Sequence, residues 1–283
     1  MIAADDIFRR AQPLLGTLVE VSVPHGFKHE AELAFTAMHS VHRLMSFHET
    51  GSDVSRINRL RPGEVLECHP WTVEVLAAAL DLNTRSSGLF EICVAQVLVK
   101  SGFLPNVAGR SSGQCGGRSP DIHLHGVGNV SVSRPVLIDL GGIAKGFAVD
   151  QAIAALRDAG VPCAMVNAGG DLRCYGALAW PVHLRDADGT VGAEIALSNQ
   201  AIASSANLLS RKRRLLRANT PHIGPNGRPV RIDRTISVIA PSCMMADALT
   251  KVAMIDAEMA ECLLLSGQGQ ILLDGAPVQA RAA

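Results

Sequence analysis

The residues best suited to chemistry in this 283-residue chain gather at glycine-marked turns. An apolar run over 136–140 reads as a buried strand and ends in Gly141-Gly142. A helix is expected just after Lys145-Gly146, running to about residue 159 and closed by Gly160. Backbone amides at a strand-to-helix junction point outward, and the helix dipole favours an anion there. Lys145 adds a mobile positive charge, so the geometry suits a phosphate or pyrophosphate. The spacing is neither GxxxxGK[ST] nor GxGxxG. The same residues therefore also read as a tight turn with no ligand. A second turn, Asn167-Ala168-Gly169-Gly170-Asp171, follows the next strand, and two such turns at consecutive strand ends can converge on one ligand.

Two further places carry reactive side chains. His222 lies in a Pro- and Gly-rich loop, residues 222–230, rather than on an apolar helix face. Near the C-terminus, Asp247 stands among Met, Ala and Leu, where an unpartnered carboxylate is costly to bury. Thr250 and Lys251 follow three and four residues later, on the same helical face. One reading is an exposed Asp–Lys pair of little energetic weight. The other is a hard-cation site built from Asp and Thr oxygens and a carbonyl from elsewhere, as suits Mg2+ shared with substrate phosphates.

The composition bounds what these residues can serve. Lys+Arg and Asp+Glu are both 26, so the basic excess usual in nucleic-acid binders is missing. Aromatic residues make up only 4%, which leaves few stacking surfaces. Hydrophobic residues at 48% are enough for a packed core. The seven Cys form no CxxC pair, which points to free thiols in a reducing cytoplasm. The first residues carry two early acids and no apolar stretch of signal-peptide length, and no window is long enough to span a membrane. The expectation is a cytoplasmic protein.

The elements expected to position these residues mix hairpins and helices, which argues for an α+β fold rather than a βαβ array. Strands are predicted at 14–23, 121–125, 129–133, 136–140, 162–167, 181–185, 192–197, 235–240 and 270–274. Helices are predicted at 30–46, 52–58, 70–86, 243–254 and 256–265, besides the one after Gly146. The Gly- and Ser-rich stretch 105–119 reads as a flexible loop. The basic run Arg211-Lys212-Arg213-Arg214, with Arg217, reads as a solvated face or as a guide for an acidic partner.

The order and spacing of several segments resemble the FAD:protein FMN transferase (ApbE) family along nearly the whole chain. They are Leu15-Gly16-Thr17, Met45-Ser46-Phe47, Ser52 through Asn58, Gly88-Leu89-Phe90-Glu91, Ile138 through Asp150, Asn167 through Asp171, Ala201 through Ser205, His222-Ile223, and Ala246 through Leu249. The resemblance implies a single domain over 1–283, two-lobed in some arrangement, with mixed sheets, packed helices and an FAD cleft between glycine turns and helices. It implies Mg2+-dependent transfer of FMN from FAD to a Ser or Thr hydroxyl of an acceptor flavoprotein, with release of AMP. By the same resemblance, the Ala144 carbonyl, Asp247 and Thr250 would hold the metal. Leu15, Phe47, Leu89, Phe90, Glu91, Asp139, Lys145, Phe147 and Ile223 would line the FAD site. His222 and Asp247 would be the catalytic pair.

The chain departs from the family pattern at five places. Lys251 stands where the family places a Thr, so either Thr250, one position early on the same face, substitutes as a ligand or the Lys251 ammonium takes the metal's place. HIGPNG replaces a longer loop carrying an Asp, and Ser204-Ser205-Ala206 replaces Thr-Ser-Gly. Glu91 stands for Asp, and Phe47 for Tyr. A non-catalytic FAD carrier and an FAD pyrophosphatase yielding FMN and AMP therefore stand beside the transferase as alternatives.

Overall fold

The strand predicted over 14–23 is two strands and a turn. Ile7–Leu14 (β1) pairs antiparallel with Thr17–Pro24 (β2), and Leu14 faces Thr17, which leaves Leu15-Gly16 as a two-residue loop. Both loop residues have positive φ, 56° and 73°. That matches the turn type whose twist suits a hairpin and which normally takes Asn-Gly. A leucine held there costs about 1–2 kcal/mol.

The computed structural model describes residues 6–106, 115–186, 188–207, 220–264 and 269–278. The basic run at 211–217 and residues 107–114 of the Gly/Ser-rich stretch lie outside them. After the first hairpin come Ala31–Met45 (α1), Asp53–Ile57 (α2), Val65–Glu67 (β3), Pro70–Arg85 (α3) and Ala95–Lys100 (α4). Then follow Ile122–His125 (β4), Asn129–Val132 (β5), Ala144–Asp158 (α5), Ala164–Ala168 (β6) and Asp171–Tyr175 (β7). Trp180–Arg185 (β8), Val191–Leu197 (β9), Ala201–Ala206 (β10) and Thr235–Ala240 (β11) lead to Cys243–Ala253 (α6), Ala257–Leu263 (α7), Gln270–Leu273 (β12) and Ala276–Pro277 (β13). No helix among the described residues is long and apolar enough to cross a membrane.

The chain divides into two compact units. One takes residues 1–40, 145–216 and 232–283, and the other takes 41–144 and 217–231. The first is built on an antiparallel sheet in the order β1-β2-β6-β7-β10-β11-β12-β13. Its strands alternate sides as a sheet with two covered faces must. On one side Met165, Leu172, Cys174 and Ile202 pack against Trp180, Val182 and Leu184 of the separate β8–β9 hairpin. On the other, Ala203 and Ala240 meet Ala246 of α6, and the small side chains let helix and sheet approach closely.

The second unit holds α2 to α4 and the three-stranded sheet β3-β5-β4. Its Ser52–Asn58 segment is scaffold. Ser52 caps α2 by accepting from the Ser55 amide at 3.0 Å and donates to the Ser46 carbonyl at 2.7 Å. The buried Asp53 carboxylate accepts from the His69 amide, the Thr72 hydroxyl and Arg56, and so fastens α2 to the start of α3. The apolar run 136–140 is not a strand. At Ile138 its partner is the side chain of Asn58, which donates to the Ile138 carbonyl at 2.9 Å and accepts from the Ile138 amide at 2.7 Å. Asn58→Ala leaves two buried backbone groups without partners, so it should cost about 2–4 kcal/mol in a urea melt.

All seven cysteines are free thiols, and five of them are buried. Burial raises the Cys68 thiol to about 12 and lifts Cys243 well above its usual range, so neither is a ready nucleophile.

Candidate functional site

The first unit gathers two carboxylates and two ammonium groups. Asp247, on α6, is 0% exposed. Its Oδ1 lies 2.5 Å from Lys251 Nζ, and its Oδ2 accepts from the Gly146 amide at 3.2 Å. Lys251 Nζ also donates to Ser205 Oγ at 3.2 Å and to Thr250 Oγ1 at 3.0 Å. The Thr250 hydroxyl gives its one proton to the Asp247 carbonyl at 2.7 Å. Ser205, 2.8 Å away, must therefore donate to Thr250 Oγ1, which fixes the direction of every bond in the network. Lys145, at the start of α5, forms an ion pair with Asp171, the last residue of the second glycine turn.

Charge sets how these groups ionise. Burial pushes the Asp247 carboxyl up, but the ammonium groups of Lys251 and Lys145 and the Gly146 amide outweigh it and hold it below the ordinary carboxylate range. Burial and the Asp247 charge push Asp171 up, and Lys145 and Lys251 pull against them. Burial opposes the charge on Lys145, yet Asp247 and Asp171 keep it firmly protonated. The four groups form one electrostatic unit.

Sequence sets this cluster through close helix contact. Helix α5 begins at Ala144, so Lys145 and Gly146 stand in its first turn rather than before it as predicted. A Cβ on Gly146 would overlap the Cys243 carbonyl and the Met244 Cα at the start of α6. Asp150, one turn along α5, accepts from the Cys243 and Met244 amides, both at 2.9 Å, and pairs with Arg173. A carboxylate there satisfies two free amides and complements the helix dipole. Ser242 caps a third, the Met245 amide. Asp150, Asp171 and Ser205 carry no role in the sequence reading. Their partners lie far along the chain, and only the acid inside an Ala-rich helix hinted at a buried pair.

A cavity of about 490 Å3 opens in the same unit beside Gly169-Gly170, lined also by Asn167, Ser204, Ser205 and Thr235. It is of ordinary ligand-site size. Gly170's amide is held by Asn167 Oδ1 at 2.9 Å, and Gly169, at φ 68°, leaves no room for a Cβ against Thr17. The buried Thr235 Oγ1 has no hydrogen-bond partner among the described residues. Ser205 belongs to both the cavity wall and the Lys251 network.

In the second unit, Glu91 is tied to protein donors. Its Oε1 accepts from the Cys93 amide at 2.8 Å and the Ser119 hydroxyl at 2.5 Å, and its Oε2 meets Arg118 at 3.3 Å. Arg118 also donates to the Pro225 carbonyl at 2.6 Å, which joins this segment to the His222 loop. That loop is a tight turn in which Ile223 bridges Pro229 and the His222 carbonyl accepts from the Val230 amide at 2.8 Å. The Asp139 amide donates to the Ile92 carbonyl at 2.9 Å. Burial raises the Asp139 carboxyl, against the pull of the Gly141 amide and His48.

The residues expected to act together thus divide between the units. Leu15, Lys145, Phe147, Asp247 and Thr250 lie in the first, and only Lys145, Asp247 and Thr250 share its charged cluster. Phe47, Leu89, Phe90, Glu91, Asp139, Ala144, His222 and Ile223 lie in the second. Phe47, Phe90 and Phe147, which the resemblance places in the FAD lining, are at most 5% exposed. Leu15 and Leu89 are partly exposed.

The donors do not fit a resident Mg2+ as they stand. One oxygen of Asp247 is taken by the Lys251 ammonium and the other by a backbone amide. Thr250 is fully buried, with its hydroxyl committed to the Asp247 carbonyl. Among the described residues, no group of three or more His, Cys, Asp or Glu is placed to hold a metal.

An α+β protein with a glycine turn lining a ligand-sized cavity, and with Ser205 shared between that cavity and a cluster of two lysines and two carboxylates, has the makings of a site for a charged ligand. The ApbE family model matches residues 15–270, and the chain belongs to the ApbE family. It is 31% identical over 212 residues to a FAD:protein FMN transferase of Rhodobacter capsulatus, a match covering 69% of this chain but only 40% of that protein. It is 28% identical over 233 residues to one of Haemophilus influenzae, covering 74% of this chain and 67% of the other. Among solved structures, the flavin transferase ApbE of Vibrio cholerae superposes with a TM-score of 0.75 at 22% identity, over 94% of this chain and 93% of that one. The ApbE protein of Thermotoga maritima gives 0.76 at 25% identity, with 95% of each chain covered. These likenesses establish the fold.

Proposed function

We propose that this chain binds FAD and transfers its FMN portion to a Ser or Thr hydroxyl of an acceptor flavoprotein, releasing AMP. The observation that carries the reading is the Lys145–Asp171–Asp247–Lys251 cluster, which shares Ser205 with the cavity beside Gly169-Gly170, in a member of this family. In the reaction the acceptor hydroxyl oxygen bonds to the FMN phosphorus. The bond from that phosphorus to the bridging oxygen breaks, and AMP leaves with the bridge oxygen. The hydroxyl proton passes to a base. Chemistry of this kind depends mainly on positioning and charge neutralisation. In this reading Lys145 and Lys251 supply positive charge at the pyrophosphate. Asp247 is a poor proton acceptor, because its carboxyl is held low. His222 is the better candidate for the base. A cytoplasmic setting accords with seven free thiols.

The resemblance implies Mg2+, but no step above is routed through it, because the donors do not fit. The engagement of both Asp247 oxygens favours one second reading, a FAD carrier that does not turn over. Incubation with FAD and an acceptor domain, with products separated by chromatography, decides among the readings. Transfer yields AMP and covalently flavinylated acceptor in equal amounts. A pyrophosphatase yields AMP and free FMN. A carrier yields intact FAD only.

A further inference from the structure

We propose that the Lys251 ammonium is the built-in cation of this site and that the protein folds and organises Asp247 without a divalent metal. The inference rests on the family reading only for where a metal would otherwise be expected. Its physical content stands on the cluster itself.

The donor set around Lys251 Nζ is that of a hard-cation site: the Asp247 carboxylate at 2.5 Å, the Thr250 hydroxyl at 3.0 Å and the Ser205 hydroxyl at 3.2 Å. An ammonium has three protons, and these three oxygens use all of them. The side chain is only 22% exposed, so it is held in place rather than waving in solvent. Its position is set by covalent spacing, because residues four apart on a helix stack directly over one another. Charge agrees with geometry. Asp247 pairs with the Lys251 ammonium and Asp171 with the Lys145 ammonium, so each buried carboxyl group has a cationic partner of its own. The buried cluster is therefore paired without any metal. A divalent cation entering it would bring two uncompensated charges into a poorly solvated place and would have to expel the ammonium first.

A fixed lysine differs from a metal in a testable way, since it cannot be removed by a chelator. The melting temperature of the full chain should be the same within about 1 °C in MgCl2 and in EDTA, because a site that binds no metal gains nothing from it. Calorimetric titration of Mg2+ into the wild-type chain should show no stoichiometric binding. Lys251→Met leaves Asp247 buried without its partner and should melt about 10 °C lower in both media. Lys251→Thr removes the ammonium and offers an oxygen in its place. It should melt low in EDTA and regain much of the loss in MgCl2. Stoichiometric Mg2+ binding by the wild type, or a melting temperature several degrees higher in MgCl2 than in EDTA, would overturn the proposal. So would a Lys251→Met variant as stable as the wild type. The titration needs no variant, so the proposal remains open to refutation if the variants do not fold. A parallel FAD titration separates the two readings. Failure to bind FAD in either medium counts against the functional reading alone. FAD binding lost only in EDTA counts against the lysine.

Discussion

Asp247→Ala lowers the stability of the protein by about 3–5 kcal/mol, the range for removing one partner of a buried ion pair. The fall is this large because Asp247 is wholly buried and both Lys251 and Lys145 are attracted to it. Without it two ammonium groups face only Asp171, and the Gly146 amide loses its acceptor. Asp247→Asn keeps the shape but removes the charge, and it should fall between the two. The pH dependence follows from the sign of the shift. A carboxyl held below its ordinary value contributes stability that is present above the unfolded pKa of ~3.9 and is lost as pH falls through the folded value. The advantage of wild type over Asp247→Asn in denaturant melts should therefore be full at pH 7 and shrink only below about pH 4. An advantage that is unchanged in acid would contradict the charge assignment. FMN transfer, measured separately, should be lost in Asp247→Ala, because the cluster no longer holds its two lysines in place.

Gly146→Ala is the second large effect, and its sign runs against helix propensity. Alanine in a helix interior is favoured over glycine by about 1 kcal/mol. Here the added methyl would meet the Cys243 carbonyl and the Met244 Cα, which are backbone atoms of another helix and cannot swing aside. Overpacking of this kind costs about 1–3 kcal/mol, occasionally more, so the clash outweighs the gain. A larger residue such as valine should prevent folding. Any shift of α6 away from α5 also pulls Asp247 from the Gly146 amide and Asp150 from the Cys243 and Met244 amides. Gly146→Ala should therefore lose FMN transfer even in preparations that remain folded by circular dichroism. A variant as stable as the wild type would show that the two helices do not meet as described.

Much of the fold is legible in local sequence because local chemistry decides it. Pro70 starts α3, Ser52 and Ser242 cap their helices, and Gly160 ends α5. The alternation in β8 puts Trp180, Val182 and Leu184 in the core. What local sequence misses is set by distant partners. The run at 136–140 has the composition of a strand, but Asn58, far earlier in the chain, takes the place of a neighbouring strand at Ile138. Gly146 looks like a turn residue, yet it is a glycine because another helix occupies the space of its side chain. β1 was missed because its Arg9-Arg10-Ala11 centre is exposed and lacks an apolar rhythm. The site was legible to a similar degree. Lys145, Asp247 and Thr250 do meet in one cluster. Of the arrangements open at Lys251 in sequence, the structure has the one in which its ammonium takes the metal's place among the Asp247, Thr250 and Ser205 oxygens, and the pair's carboxylate is buried rather than exposed.

The most direct test of the central claim is the intact mass of an acceptor flavoprotein domain after incubation with this chain and FAD. The acceptor should become heavier by one FMN less one water, located to a Ser or Thr, with AMP formed one for one. An acceptor of unchanged mass, with FAD intact or split to free FMN, would contradict that claim.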